Sequence, residues 1–128
     1  MGGRENLPVF GHIVEFLKSF GHDVPSEHVA HPRVLNEESI LTPQQVYERD
    51  VAWIRISGAM IAEVSTPSLG VGYEIATALH LGLPVLCLHR ADRSISKMIS
   101  GNRSITVAAY ADLAELDRHI LSFLGSMG

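Results

Sequence analysis

The stretch TPSLGVGYE, residues 66–74, places a carboxylate where a polar, glycine-containing run gives way to an apolar helical pattern ending at Gly82. Pro67, Gly70 and Gly72 let backbone approach a ligand closely. The helix that follows presents free N–H groups and the positive end of its dipole, which suit a phosphate. Ser68 adds a hydroxyl donor. Glu74 is expected in the first turn of that helix, near whatever the phosphate is attached to. A first-turn acid also serves the helix dipole alone, and glycines recur in strand-to-helix loops of α/β domains generally. The pattern by itself leaves both readings open.

The elements that must hold this stretch alternate along the chain. LPVFGHIVEFLKSFG, residues 7–21, carries apolar positions at Val9, Ile13, Phe16, Leu17 and Phe20, a helical stripe closed by Gly21. HDVPSEHVA, residues 22–30, reads as a short strand with Pro25 near its edge, and residues 31–43 as a connecting loop. A helix opens with Thr42 as N-cap and Pro43 at its first position, with Val46, Val51, Trp53 and Ile54 on its apolar face. GAMIAEVS is a strand, followed by a helix from about Val71 to Leu81. PVLCLH and ITVAAY are further strands, separated by a short helix or turn in RSISKMISG. A final amphipathic helix begins after Asp112, its candidate cap. Such alternation predicts an α/β fold, a Rossmann-like three-layer sandwich with a mostly parallel sheet covered on both faces. Ligands in such sheets bind beyond the carboxyl ends of the strands, and EVSTPSLGVGYE follows one of those ends.

Composition narrows the function classes. A chain of 128 residues with 46% hydrophobic and 19% charged residues suits one globular domain spanning 1–128. A net charge of −4 argues against a general nucleic-acid or membrane-surface binder. No apolar run reaches the ~20 residues of a membrane span, and the first ten residues lack a signal-peptide core. Cys87, the single cysteine, lies in an apolar strand and is expected as a buried, reduced thiol of a cytosolic or nuclear protein. The seven histidines have no paired ligand spacing, so no metal and no cofactor are expected. His12, His22, His80, His89 and His119 are read as solvent or helix-end residues.

EVSTPSLGVGYEIATAL closely resembles the signature of the 2'-deoxynucleoside 5'-phosphate N-hydrolases, within the nucleoside 2-deoxyribosyltransferase superfamily. GGRE at 2–5, SEHVA at 26–30, YERDVAWI at 47–54 and SKMISG at 96–101 fit the same family in the same order. The resemblance implies hydrolysis of a deoxynucleoside 5'-monophosphate to free base and 2-deoxyribose 5-phosphate. It makes Glu74 the nucleophile and Asp50 the assisting acid. It puts Ser68 and Gly70 at the 5'-phosphate, Gly2, Gly3 and Arg4 in a first loop, and His28 near the base pocket. Ser96, Lys97 and Met98 correspond to a segment that reaches the substrate of the neighbouring subunit, which implies a homodimer with shared active sites. Family members begin with an apolar strand and a glycine-serine loop before the GGRE segment, whereas here Met1 stands immediately before it. Without that strand, neighbouring strands are expected to have unpaired edges and part of the core to be unfilled.

The implied chemistry needs no metal. An N-glycosidic bond breaks through an oxocarbenium-like state that a carboxylate stabilises or traps, and protonation makes the base a better leaving group. The remote phosphate orients the sugar. Two other classes share these residues. A transferase would pass deoxyribose to a second base, and a non-catalytic nucleotide-binding or dimerising protein would release no base.

Overall fold

The computed structural model describes residues 7–22 and 40–127. The strand expected over 22–30, the loop before residue 40, and Gly2, Gly3, Arg4 and His28 therefore lie outside the described residues, apart from His22 at the strand's start. Helix α1 spans Leu7–Ser19, α2 Pro43–Ile56, strand β1 Met60–Glu63, α3 Leu69–His80, β2 Val85–Arg90, α4 Lys97–Ser100, β3 Ile105–Tyr110 and α5 Leu113–Ser126.

Local chemistry sets the helix ends. Thr42 caps α2 reciprocally: its hydroxyl accepts from the Gln45 N–H at 3.1 Å, and the Gln45 side chain accepts from the Thr42 N–H at 2.8 Å. Asp112 caps α5 by accepting from the Glu115 N–H at 2.8 Å. Gly21 and Gly82, at φ 81° and 77°, close α1 and α3 in the left-handed conformation. Beyond them, His22 and Leu83 donate back to the carbonyls of Leu17 and Ala78. Phe20, expected on the buried stripe, falls past the end of α1 and is exposed.

The three described strands are parallel in the order β1-β2-β3, with Met60, Val85 and Ile105 in register. Alternation along central β2 divides the core. Val85 and Cys87 face Ile54 of α2 and Val71, Ile75 and Ala78 of α3. Leu86 and Leu88 face Ile13 and Leu17 of α1 and Leu116, Ile120 and Phe123 of α5. Burying each of these leucines contributes about 1.5–3 kcal/mol, so both faces of β2 anchor the domain. Cys87 is fully buried and free, and burial pushes its thiol up to about 11. No described helix is long and apolar enough to cross a membrane.

An apolar cavity of about 370 Å³ lies beside β1, between Phe10, Ile13 and Val14 of α1 and Trp53 and Ile54 of α2.

Candidate active site

At the carboxyl end of β1 the chain turns through Val64–Pro67 into α3. Ser68 is the N-cap, its hydroxyl oxygen accepting from the Val71 N–H at 3.2 Å. Helix α3 therefore starts at Leu69, two residues earlier than the pattern predicts, because Ser68 satisfies a first-turn N–H. This corrects two expectations. Gly70 lies inside the helix, with Gly72, and Glu74 stands in its second turn, where dipole stabilisation of an acid has faded. The bland reading of Glu74 as a dipole-serving acid loses its physical basis.

Among the described residues, neither glycine is forced. A Cβ on Gly70 would meet only the Ser68 hydroxyl oxygen, at 4.0 Å, and one on Gly72 would meet nothing within 4 Å of them. Each costs helix stability of up to about 1 kcal/mol relative to alanine.

Glu74 faces α2, which packs against α3. Burial first, then the Asp50 carboxylate within hydrogen-bond reach, push the Glu74 carboxyl up to about 7; the Arg49 guanidinium pulls the other way. Glu74 Oε2 is buried without a hydrogen-bond partner among the described residues. On α2, Arg49 Nε donates to Asp50 Oδ1 at 3.0 Å, and its guanidinium lies 4.7 Å from the Trp53 ring centre. Arg49 was not singled out by sequence reasoning, although its adjacency to Asp50 was the available signal. The structure thus brings Glu74, Asp50 and the Ser68–Gly70 turn to one side of the sheet.

It places the late segment beside β3. Ser96 caps α4, accepting from the Met98 N–H at 3.2 Å, and α4 packs on β3, with its Ile99 against the core that β2 shares with α2 and α3. Lys97 and Met98 are exposed there. Among the described residues, no group of three or more His, Cys, Asp or Glu side chains could hold a metal ion. The histidine expectations need two corrections: His12 Nε2 meets Asp117 Oδ1 at 2.8 Å, tying α1 to α5 instead of facing solvent alone, and His89 lies half-buried within strand β2, its Nδ1 2.9 Å from the Arg90 carbonyl oxygen. His119 bonds the Ala109 carbonyl, and His80 sits in the last turn of α3 as expected.

A half-buried carboxylate pair, with one oxygen unpartnered among the described residues, near a helix N-terminus is an arrangement able to serve glycosyl chemistry on an anionic substrate. The family model for nucleoside 2-deoxyribosyltransferase matches residues 3–116. A protein of Methanococcoides burtonii, with the provisional name 2'-deoxynucleoside 5'-phosphate N-hydrolase 1, is 47% identical over 113 residues, covering 88% of each chain. The 5-hydroxymethyl-dUMP N-hydrolase of Rattus norvegicus is 38% identical over 133 aligned positions, covering 96% of this chain and 81% of its own. The structure of a CMP N-glycosidase from Clostridium botulinum shares the fold, with a TM-score of 0.69 at 19% identity, covering 88% of this chain and 85% of its own. The chain belongs to the nucleoside 2-deoxyribosyltransferase family, among its 2'-deoxynucleoside 5'-phosphate N-hydrolases.

Proposed function

We propose that this chain hydrolyses the N-glycosidic bond of 2'-deoxynucleoside 5'-monophosphates, with Glu74 as nucleophile and Asp50 as its proton partner. The observation that carries the assignment of roles is the buried, unpartnered Oε2 of Glu74 beside a second carboxylate. Buried acceptors in native folds are nearly always satisfied, so a buried oxygen in the second turn of α3 with no partner among the described residues supports an acceptor kept for a ligand.

In the reaction, the bond between C1' and the base nitrogen breaks as positive charge spreads over the sugar ring. Glu74 gives up its proton as that charge develops, and its oxygen bonds to C1'. The proton passes across the hydrogen bond to Asp50 and on to the departing base. Water then attacks C1' of the ester, releasing 2-deoxyribose 5-phosphate and returning a proton to the pair. Arg49 orients Asp50 through the 3.0 Å bond. Ser68 and the free N–H groups around Gly70 receive the 5'-phosphate. The missing 2'-hydroxyl favours the deoxy sugar, since no electron-withdrawing group adjoins the cationic carbon.

Leu69 is 96% exposed, and Tyr73, Tyr47 and Met98 also present apolar surface. Tyr47 and Tyr73 meet edge to face at 5.9 Å between α2 and α3. These side chains support a homodimer in which Ser96, Lys97 and Met98 reach the partner's site. Gly2, Gly3, Arg4 and His28 belong to the same proposal on resemblance alone.

The test compares a deoxynucleotide, its nucleoside and its ribonucleotide. Base release should be fastest from the deoxynucleotide. Equal cleavage of the bare nucleoside would remove the phosphate site.

A further inference from the structure

Glu63 ends β1 and is 1% exposed, a carboxylate set on the sheet face that packs Leu88 and Tyr110 against α5. An apolar residue would fill this position without the cost of desolvating a charge-bearing group. Its oxygens are instead fully engaged. Oε1 accepts from the Ser65 N–H at 2.7 Å, and Oε2 accepts from the Ser65 hydroxyl at 2.9 Å and from the Tyr110 hydroxyl. The Ser65 hydroxyl oxygen in turn accepts from the Arg90 N–H at 2.8 Å. The Arg90 guanidinium reaches the same Tyr110 hydroxyl. Glu63, Arg90 and Tyr110 are the last residues of β1, β2 and β3. One buried network thus ties the three strand ends to the first residues of the loop that carries Ser68 and leads to Glu74.

We propose that Glu63 is a positioning residue for the hydrolysis, fixing Ser65 so that the turn into α3 holds Ser68 in place for the substrate's 5'-phosphate. The proposal rests on the hydrolytic reading above. Ser65 stands three residues before the cap, and two of its groups are held by one carboxylate, so its backbone direction is set from within the core. Tyr110 anchors that carboxylate from the far side of the sheet.

Two variants of the whole chain test this, Glu63→Gln and Ser65→Ala. A smaller folded fraction lowers kcat, leaves KM alone and affects all substrates equally. A displaced phosphate turn raises KM for the nucleotide. We expect KM for the deoxynucleotide to rise about tenfold in both variants, with kcat/KM for the matching nucleoside changing less than about threefold. The double variant should be no worse than the worse single, since both cut the same link. Amide exchange should quicken over residues 65–71 while β2 stays protected. Unchanged KM and unchanged exchange in folded Glu63→Gln protein overturn the proposal, as does an equal fall on both substrates. If Glu63→Gln does not fold, Ser65→Ala, which keeps the Tyr110 bond, decides on the same readings. A parent protein that releases no base overturns the hydrolytic reading separately. In that case nucleotide Kd replaces KM: weakening of about tenfold in both variants supports the clamp, and an unchanged Kd overturns it.

Discussion

Glu74 keeps its proton to about 7 because burial and the Asp50 carboxylate both disfavour its charge. The unfolded chain loses that proton near the ordinary glutamate value. Between the two, the folded state binds more protons, so this group's contribution to stability falls as pH rises and levels off above about 7. Melting temperature should therefore decline from pH 5 to pH 8 in the parent, and Glu74→Gln should flatten that decline; an identical slope in the variant would show the shift to be absent. Under the proposed mechanism the same proton is handed to the base. Turnover is expected to fall above pH 7, and a rise through 7 would leave Asp50 a positioning role only. Gly70 gives a second test at this scale. Gly70→Ala should stabilise α3 by up to about 1 kcal/mol, because its Cβ would meet only the Ser68 hydroxyl oxygen at 4.0 Å. It should also raise KM for the nucleotide by crowding the phosphate. Urea denaturation and steady-state kinetics read the two effects, and unchanged KM would take the phosphate away from Gly70.

Elements were legible where one residue type has one job. Thr42–Pro43 and Asp112 opened helices as expected, and PVLCLH became a central strand because an apolar run can be covered on both faces. The start of α3 lies two residues before the expected Val71 because Gly70 beside a capping serine reads as loop, while packing of Val71 and Ile75 draws Leu69 and Gly70 into the helix. The carboxylate Glu63 passed unnoticed in MIAEVS, since its partners Arg90 and Tyr110 are distant in sequence and only sheet register joins them. In α4, a Cβ on Gly101 would lie 2.8 Å from the Lys97 carbonyl oxygen, a backbone atom that cannot swing away. Gly101→Ala should destabilise the protein by about 1–2 kcal/mol and disturb the turn presenting Ser96–Met98. Equal stability in denaturant titrations would show that α4 shifts freely.

At the scale of the molecule, α2 and α3, which carry Asp50 and Glu74, share one sheet face with α4, whose Ile99 packs into the same core beside β3 and whose N-cap is Ser96. A homodimer would bring the exposed Lys97 and Met98 of one copy to the site of the other. Glu74→Gln and Ser96→Ala chains, each impaired alone, should regain activity when mixed, because one site of a mixed dimer escapes both defects. Dilution below the dimer constant should lower specific activity. Full activity in a strict monomer would contradict the shared site. The cavity of about 370 Å³ beside β1 and the exposed apolar surface of α2 and α3 each arise where several elements meet. No single motif encodes them, which is why partners were legible only through resemblance.

Quantifying free base and 2-deoxyribose 5-phosphate from a panel of deoxynucleoside 5'-monophosphates, with and without an added acceptor base, tests the central claim most directly. The parent chain should release base and sugar phosphate in equal amounts, form no new nucleotide with the acceptor, and lose more than about nine-tenths of its activity in Glu74→Gln, a barrier increase above ~1.4 kcal/mol. Tight nucleotide binding with no base released, or a Glu74→Gln protein that turns over like the parent, would contradict it.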